Sequence, residues 1–396
     1  MAAGRTCSEG RWKMTAPTPD PDRPLRWDPY LLKSGPDFAA YWEEYLGLAP
    51  RNMLFILGCG FDPRSCVGLD LLLAAGGAGR RDCMMLSFDE GVDSPDPKQV
   101  EVTTTNKKEL LSLVRRVDGQ VDEQTVKMWS GEGPSRRRVS SKNASGVVAT
   151  FDRISPYSTI VMDISAMPRS VYFSLIARIL HLLDRAFDSS HPDRGPRFYV
   201  VVSENPDLDN SIRGVDLDDD ARYIPGLGAA VDAEATAEIP RVWMPILGEG
   251  HEAQLGKVYQ LVNPGEICPV LPSPARNPRR ADDILTEYRQ LLFDSWRIEP
   301  RNLVYGSELN PFDVYRQLTR SSRQYSTALN PVGGCKVVFS AHSSKLTSLG
   351  ALLATYQLRS DGLTVGLAHV EPRTYESDLA SAASVSNSIP VAVRLA

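Results

Sequence analysis

Long apolar runs are missing from this chain of 396 residues: none reaches the ~20 residues that a membrane-spanning helix needs. The N-terminus carries Arg5, Arg11 and Lys13, but prolines and acids follow where a secretory leader has an apolar stretch. Paired cysteines are missing too. The six cysteines, at 7, 59, 66, 83, 268 and 335, include no Cys-x-x-Cys and none in zinc-ligand order with a histidine. That argues against a disulfide framework or a metal site and for a reducing, cytoplasmic setting. Histidine is scarce, with five residues and no His-Glu-x-x-His helix. Gly-x-Ser-x-Gly is absent. Charge of one sign is not in excess: 44 basic residues face 49 acidic ones, a net charge of -5. Nucleic acid or an anionic membrane would therefore need a local basic patch, and neither is an expected partner.

What is present is enough apolar material, 42% of residues, for one or two cores. Apolar runs at Met53–Leu57, Cys83–Phe88, Val126–Trp129, Thr159–Ile164 and Phe198–Ser203 read as buried strands. Helical patterns lie between them at Ser65–Ala75, Asn106–Val117, Lys142–Ile154 and Ser170–Phe187, with Asn106 and Ser140 or Ser141 as N-caps. The pattern resumes with strands at Val242–Leu247, Ile267–Leu271, Asn302–Tyr305, Lys336–Ser340 and Leu363–Val370. Helices at Ala253–Val262, Ala281–Phe293, Pro311–Thr319 and Lys345–Leu358 separate these. The fold expected is α/β: two Rossmann-like doubly wound, mostly parallel sheets in tandem, with one continuous sheet as the alternative. The expected divisions are a disordered segment at 1–36, a first domain at 37–204 and a second at 241–376, with a weakly ordered tail at 377–396. Residues 205–240, with Asp207, Asp209, Asp216, Asp218, Asp219 and Asp220, read as a solvated acidic linker or lobe. Met14, opening Met-Thr-Ala-Pro, is an alternative start to Met1.

Three strand ends share a composition: Gly58-Cys-Gly60-Phe-Asp62-Pro-Arg64-Ser65, Asp163-Ile-Ser165-Ala-Met-Pro-Arg169-Ser170, and Ser340-Ala-His342-Ser343-Ser344-Lys345. Each leads from an apolar strand through a polar turn with serine and a cation into a helix. A helix start exposes unpaired N–H groups and carries about half a positive charge, so an adjacent cation and hydroxyl complete an anion site. In a doubly wound sheet such turns gather at the carboxyl edge. The ordinary reading of the same residues is a set of capped helices on tight glycine turns. Glu308 and His342 are candidate general bases without a nucleophile beside them. Arg276, Arg279 and Arg280 form a second basic loop, and Ser135-Arg-Arg-Arg138 is either an exposed loop or a cover for a phosphate. Cys59 reads as a small residue in a crowded turn more readily than as a thiolate.

The Gly58-Cys-Gly60-Phe-Asp62-Pro-Arg64 turn resembles the cofactor loop of class I S-adenosylmethionine-dependent methyltransferases. By that resemblance, Asp89 at the next strand end would hold the ribose hydroxyls. The arrangement over residues 50 to 372 resembles tandem Rossmann-like proteins that sense nucleotides in bacterial stress and defence systems. That resemblance implies a nucleotide-like anionic ligand, with a regulatory output through a homodimer or protein partner. A methyltransferase using S-adenosylmethionine, and a hydrolase or transferase acting on a nucleotide, are the alternatives.

Overall fold

Alternating burial begins with the first long strand: Met53, Phe55 and Leu57 face one apolar cluster, and Leu54 and Ile56 face another. A strand buried on both faces needs helices on both faces, and the computed structural model shows them. It describes residues 23–91, 97–132, 135–187, 195–228, 230–232, 238–377 and 385–396. The first half runs β1 (Leu32–Ser34), α1 (Pro36–Gly47), β2 (Met53–Cys59), α2 (Val67–Ala74), β3 (Arg81–Asp89), α3 (Pro97–Arg115) and β4 (Val121–Lys127). A small hairpin, β5 (Trp129–Ser130) and β6 (Arg137–Arg138), precedes α4 (Ser140–Val147), β7 (Thr159–Asp163), α5 (Arg169–Ala186), β8 (Arg197–Glu204) and α6 (Pro206–Ser211). The chain crosses to the second half on β9 (Ile212–Leu217), followed by β10 (Arg222–Tyr223), β11 (Arg241–Ile246), α7 (Glu252–Val262), β12 (Glu266–Ile267) and β13 (Val270–Pro272). Next come α8 (Arg280–Glu287), β14 (Val304–Gly306), α9 (Pro311–Ala328), β15 (Lys336–Ala341), α10 (Lys345–Ser360) and β16 (Val365–His369). It returns on β17 (Pro372–Ser377) and ends in β18 (Ile389–Arg394).

Two separate sheets result, with strand orders β1-β18-β8-β7-β2-β3-β4 and β10-β16-β15-β11-β13-β14, so the continuous-sheet alternative does not hold. Within each, the first long strand lies beside the fourth, and the winding reverses there: β2 against β7, and β11 against β15. This is the Rossmann-like pattern, built twice. Parallel pairing prevails; among the described residues the antiparallel pairs of the two large sheets are β1 with β18, β18 with β8 and β10 with β16. Helices α4, α5, α9 and α10 fill the space between the sheets in one shared apolar cluster. Helices α1 to α3 cover the outer face of the first sheet, and α7 and α8 that of the second. None of the described helices is long and apolar enough to cross a membrane.

Several expectations change. The tail is not weakly ordered throughout, since β18 pairs antiparallel with both β8 and β1. Residues 1–22 lie outside the described residues, but the rest of the segment expected to be disordered is folded. Trp27 is buried, donates to Leu395 O at 2.9 Å and meets Tyr315 edge-on at 5.3 Å. The acidic stretch is not a bare linker: its β9 pairs antiparallel with β17, so the two crossings between halves form one ribbon. Asn106 sits inside α3 rather than capping it. Ser140 makes no cap bond to its own helix.

Candidate functional site

The fold brings the carboxyl ends of both sheets to one seam. The turn after β7 and the turn after β15 exchange contacts there: Arg169 donates to Ser343 O, and Lys345 Nζ donates to Ser165 O. The turn after β2 joins them, because a Cβ at Gly58 would lie 3.0 Å from Ala166 O of the turn after β7. All three serine-and-cation turns are therefore adjacent.

Their cations are partly committed to the protein itself. Arg64 is 3% exposed and is held by Asp62 at 2.7 Å and Asp209 at 2.8 Å. Burial alone would lower its pKa, but the two carboxylates raise it above the ordinary value. Asp62 also accepts from Arg64 N at 3.0 Å, closing its own turn. Around this pair lie three groups with shifted titration. Burial pushes Asp163 up to about 6 and, with Asp209 nearby, Glu204 up to about 7; burial, reinforced by Arg64, brings Lys345 down to about 8. Asp163 Oδ1 accepts from Ser165 N at 2.8 Å, while Oδ2 is buried without a hydrogen-bond partner. Ser165 Oγ accepts from Ser203 N at 2.8 Å. Ser65 is 2% exposed and closes its turn by donating N–H to Asp62 O. Ser344 caps α10 by accepting from Thr347 N at 3.3 Å, and Ser343 Oγ is buried without a hydrogen-bond partner.

Protein packs on the first glycine of the turn after β2. A Cβ at Gly58 would lie 2.8 Å from Met167 Cγ and 3.0 Å from Ala166 O, so the turn after β7 packs directly on it. The second half repeats the device, with Gly248 against His342 O at 2.2 Å. Gly60 is braced by Asn106, whose side chain donates to Gly60 O at 2.8 Å and Asp62 O at 3.1 Å. Asp89 is exposed and accepts from Gly91 N at 3.0 Å. Protein packs on Gly58, while a Cβ at Gly60 would meet nothing nearer than 3.7 Å. Burial also raises the Cys59 thiol, consistent with a small core residue.

The candidate bases do not assemble a catalytic set. Glu308 is tied to Arg280 at 2.6 Å and accepts from Arg276 N at 3.1 Å, so it fastens the basic loop rather than serving as a free base. His342 is buried with its ring nitrogen 3.0 Å from Ser340 Oγ. It lies 6.0 Å from His251, ring to ring. Burial keeps all three histidines of the second sheet's edge neutral: His251 falls to about 4, His369 to about 3, and His342 well below its ordinary value. Among the described residues no group of histidine, cysteine and acid is arranged to hold a metal.

The open space lies beside these turns. A cavity of about 400 Å³ runs between β6 and the starts of α4 and α5 on one side and residues 218–225 with the end of β16 on the other. Ser140, Ser141 and Ser170 line it, with Ser141 Oγ donating to Ser170 O at 3.2 Å; Arg137, Lys142 and Arg222 stand exposed on its wall, Asp218, Asp220 and Glu371 line it as well, and Tyr223, Ile224 and Pro225 give an apolar side. Arg138 lies 3.9 Å from the Trp129 ring centre and is ion-paired to Asp218 at 3.1 Å. Of the residues that the sequence singled out as binding, only Ser170 lines this cavity; the strongest additional signal was the 135–138 basic triplet. A smaller cavity, about 150 Å³, lies at the amino edge of the first sheet near Asp82 and Tyr157, away from the strand ends.

No protein-family model matches the chain, and no curated protein matches it. Among solved structures it is similar to a universal stress protein from Archaeoglobus fulgidus, at 10% identity and TM-score 0.23, covering 80% of this chain and 94% of that one. It is also similar to a functionally unknown protein from Pseudomonas aeruginosa, at 7% identity and TM-score 0.22, covering 81% of this chain and 92% of that one. Likeness this loose decides nothing about chemistry, and the tandem Rossmann-like description rests on the two sheets themselves.

Proposed function

We propose that this chain binds a small phosphorylated, nucleotide-like ligand in the cavity between its halves, with a regulatory rather than a catalytic output. The observation that carries this reading is the composition of the cavity wall: three exposed cations and two helix starts with their serines, Ser140 and Ser170, set beside Asp218, Asp220 and Glu371 at the seam of two Rossmann-like halves. Its volume, about 400 Å³, falls in the range of sites that hold small ligands. Arg137, Lys142 and Arg222 suit phosphate oxygens. Tyr223 and the adjoining apolar wall suit a planar base. A ligand touching both halves favours one arrangement of them, which is how binding becomes a signal without a reaction.

Isothermal titration of the full chain with linear and cyclic nucleotides tests this. The expected result is saturable binding of at least one of them, weakened about tenfold or more by Arg222→Ala. Affinity unchanged in Arg222→Ala, or no binding by any nucleotide, overturns it.

A further inference from the structure

The cavity already contains an anion, and it belongs to the chain. Glu371 follows β16 and reaches the starts of two helices of the opposite half. Its carboxylate accepts from Ser170 Oγ at 2.5 Å and from Ser140 Oγ at 3.2 Å. The two hydroxyls are 3.0 Å apart, and both serines are 2% exposed. Ser170 lies in the first turn of α5 and Ser140 opens α4. Two hydroxyl donors at two helix starts make a receptor for an oxyanion, and a carboxylate fits it as a phosphate would. Arg138 favours the charged form of Glu371 through space, but its direct contacts go to Asp218 at 3.1 Å and Pro372 O at 2.5 Å, and burial outweighs it and leaves the carboxyl raised. Asp218, 6% exposed and on the same cavity wall, is held by Arg138 at 3.1 Å through Oδ2 and by Arg373 at 3.6 Å through Oδ1.

We propose that Glu371 is a stand-in for the ligand's anionic group: it fills the Ser140–Ser170 subsite in the free protein, and a phosphoryl group enters by replacing it. This rests on the ligand reading above and adds the position of one phosphoryl group and the contact that holds the site closed. Release of the carboxylate restores its hydration, which offsets part of the desolvation of the entering phosphoryl group. Its departure also acts on the fold. Glu371 immediately precedes β17, which pairs with β9, so displacing it pulls on the ribbon that carries both crossings between the halves.

The test is titration of the full chain and of Glu371→Gln and Glu371→Ala with inorganic pyrophosphate and with the nucleotide that binds the unaltered protein best. Removing the resident charge is expected to raise pyrophosphate affinity about tenfold or more, and Ser170→Ala in the Glu371→Gln background to cancel the gain. Thermal melting identifies which variants fold; Glu371→Gln, nearly isosteric, carries the test if Glu371→Ala does not. Affinity unchanged or reduced in folded Glu371→Gln overturns the stand-in role. If nucleotide affinity then falls while the unaltered protein binds normally, Glu371 is a ligand contact, and the ligand reading survives without this inference. If neither protein binds either probe, both fall together.

Discussion

At the scale of residues, the glycines after the first strands are spacers between turns. Gly58→Ala and Gly248→Ala press a methyl group onto backbone 3.0 Å and 2.2 Å away. Gly248→Ala is expected to cost about 3 kcal/mol in denaturant unfolding, with Gly58→Ala smaller because Met167 can turn aside. Gly60→Ala, whose nearest atom would be 3.7 Å away, is expected to be nearly silent. Asp163 makes a second prediction. Its folded pKa, about 6, lies above the unfolded value near 3.8, so the folded state binds the extra proton between those values. Its contribution therefore falls as pH rises from about 4 to 6 and stays unfavourable above that. Asp163→Asn keeps the acceptor for Ser165 N and is expected to stabilise the protein at pH 7.5 by up to about 3 kcal/mol. Denaturation curves at pH 4 and 7.5 read the difference; an equal effect at both values contradicts it.

At the scale of elements, most strands and helices were legible because a strand buried on two faces writes an unbroken apolar run. The misses have physical causes. Helix α3 was expected from Asn106 because Val102-Thr-Thr-Thr105 has weak helical preference; Thr104 and Thr105 instead return their hydroxyls to the carbonyls four residues back. Asn106 then looked like a cap, whereas its side chain holds the neighbouring turn. Asn106→Ala is expected to cost about 1–3 kcal/mol by leaving two carbonyls without their donor, with helical circular dichroism unchanged. The last strand was illegible because small residues and Pro390 gave it no pattern; its pairing partners, β8 and β1, lie far away in sequence. The serine-and-cation turns were legible as a set, but not the cavity beside them. Its walls come from β6, α4, the 218–225 segment and β16, and no local pattern joins those pieces.

At the scale of the whole molecule, the chain leaves the first half on β9 and comes back on β17 to complete the first sheet with β18. The halves share one apolar cluster, and residues before α1 pack on α9 of the second half. Removal of residues 388–396 is expected to lower Tm by about 10 °C or more and to spread the loss over both halves. Scanning calorimetry with a single shifted transition agrees with this; an unchanged transition does not. The same interweaving makes the seam a suitable place for a ligand to act, since its walls come from both halves and the paired crossings lie against it.

The most direct test of the central claim is thermal melting of the full chain against nucleotides, cyclic and linear oligonucleotides, NAD and S-adenosylmethionine. A ligand of the folded state at a hundred times its Kd adds about 2.7 kcal/mol and visibly raises the midpoint. A rise with a phosphorylated nucleotide that disappears in a Lys142→Ala, Arg222→Ala double variant is the outcome expected of the seam cavity. A rise with S-adenosylmethionine alone, or one that persists in the double variant, contradicts it.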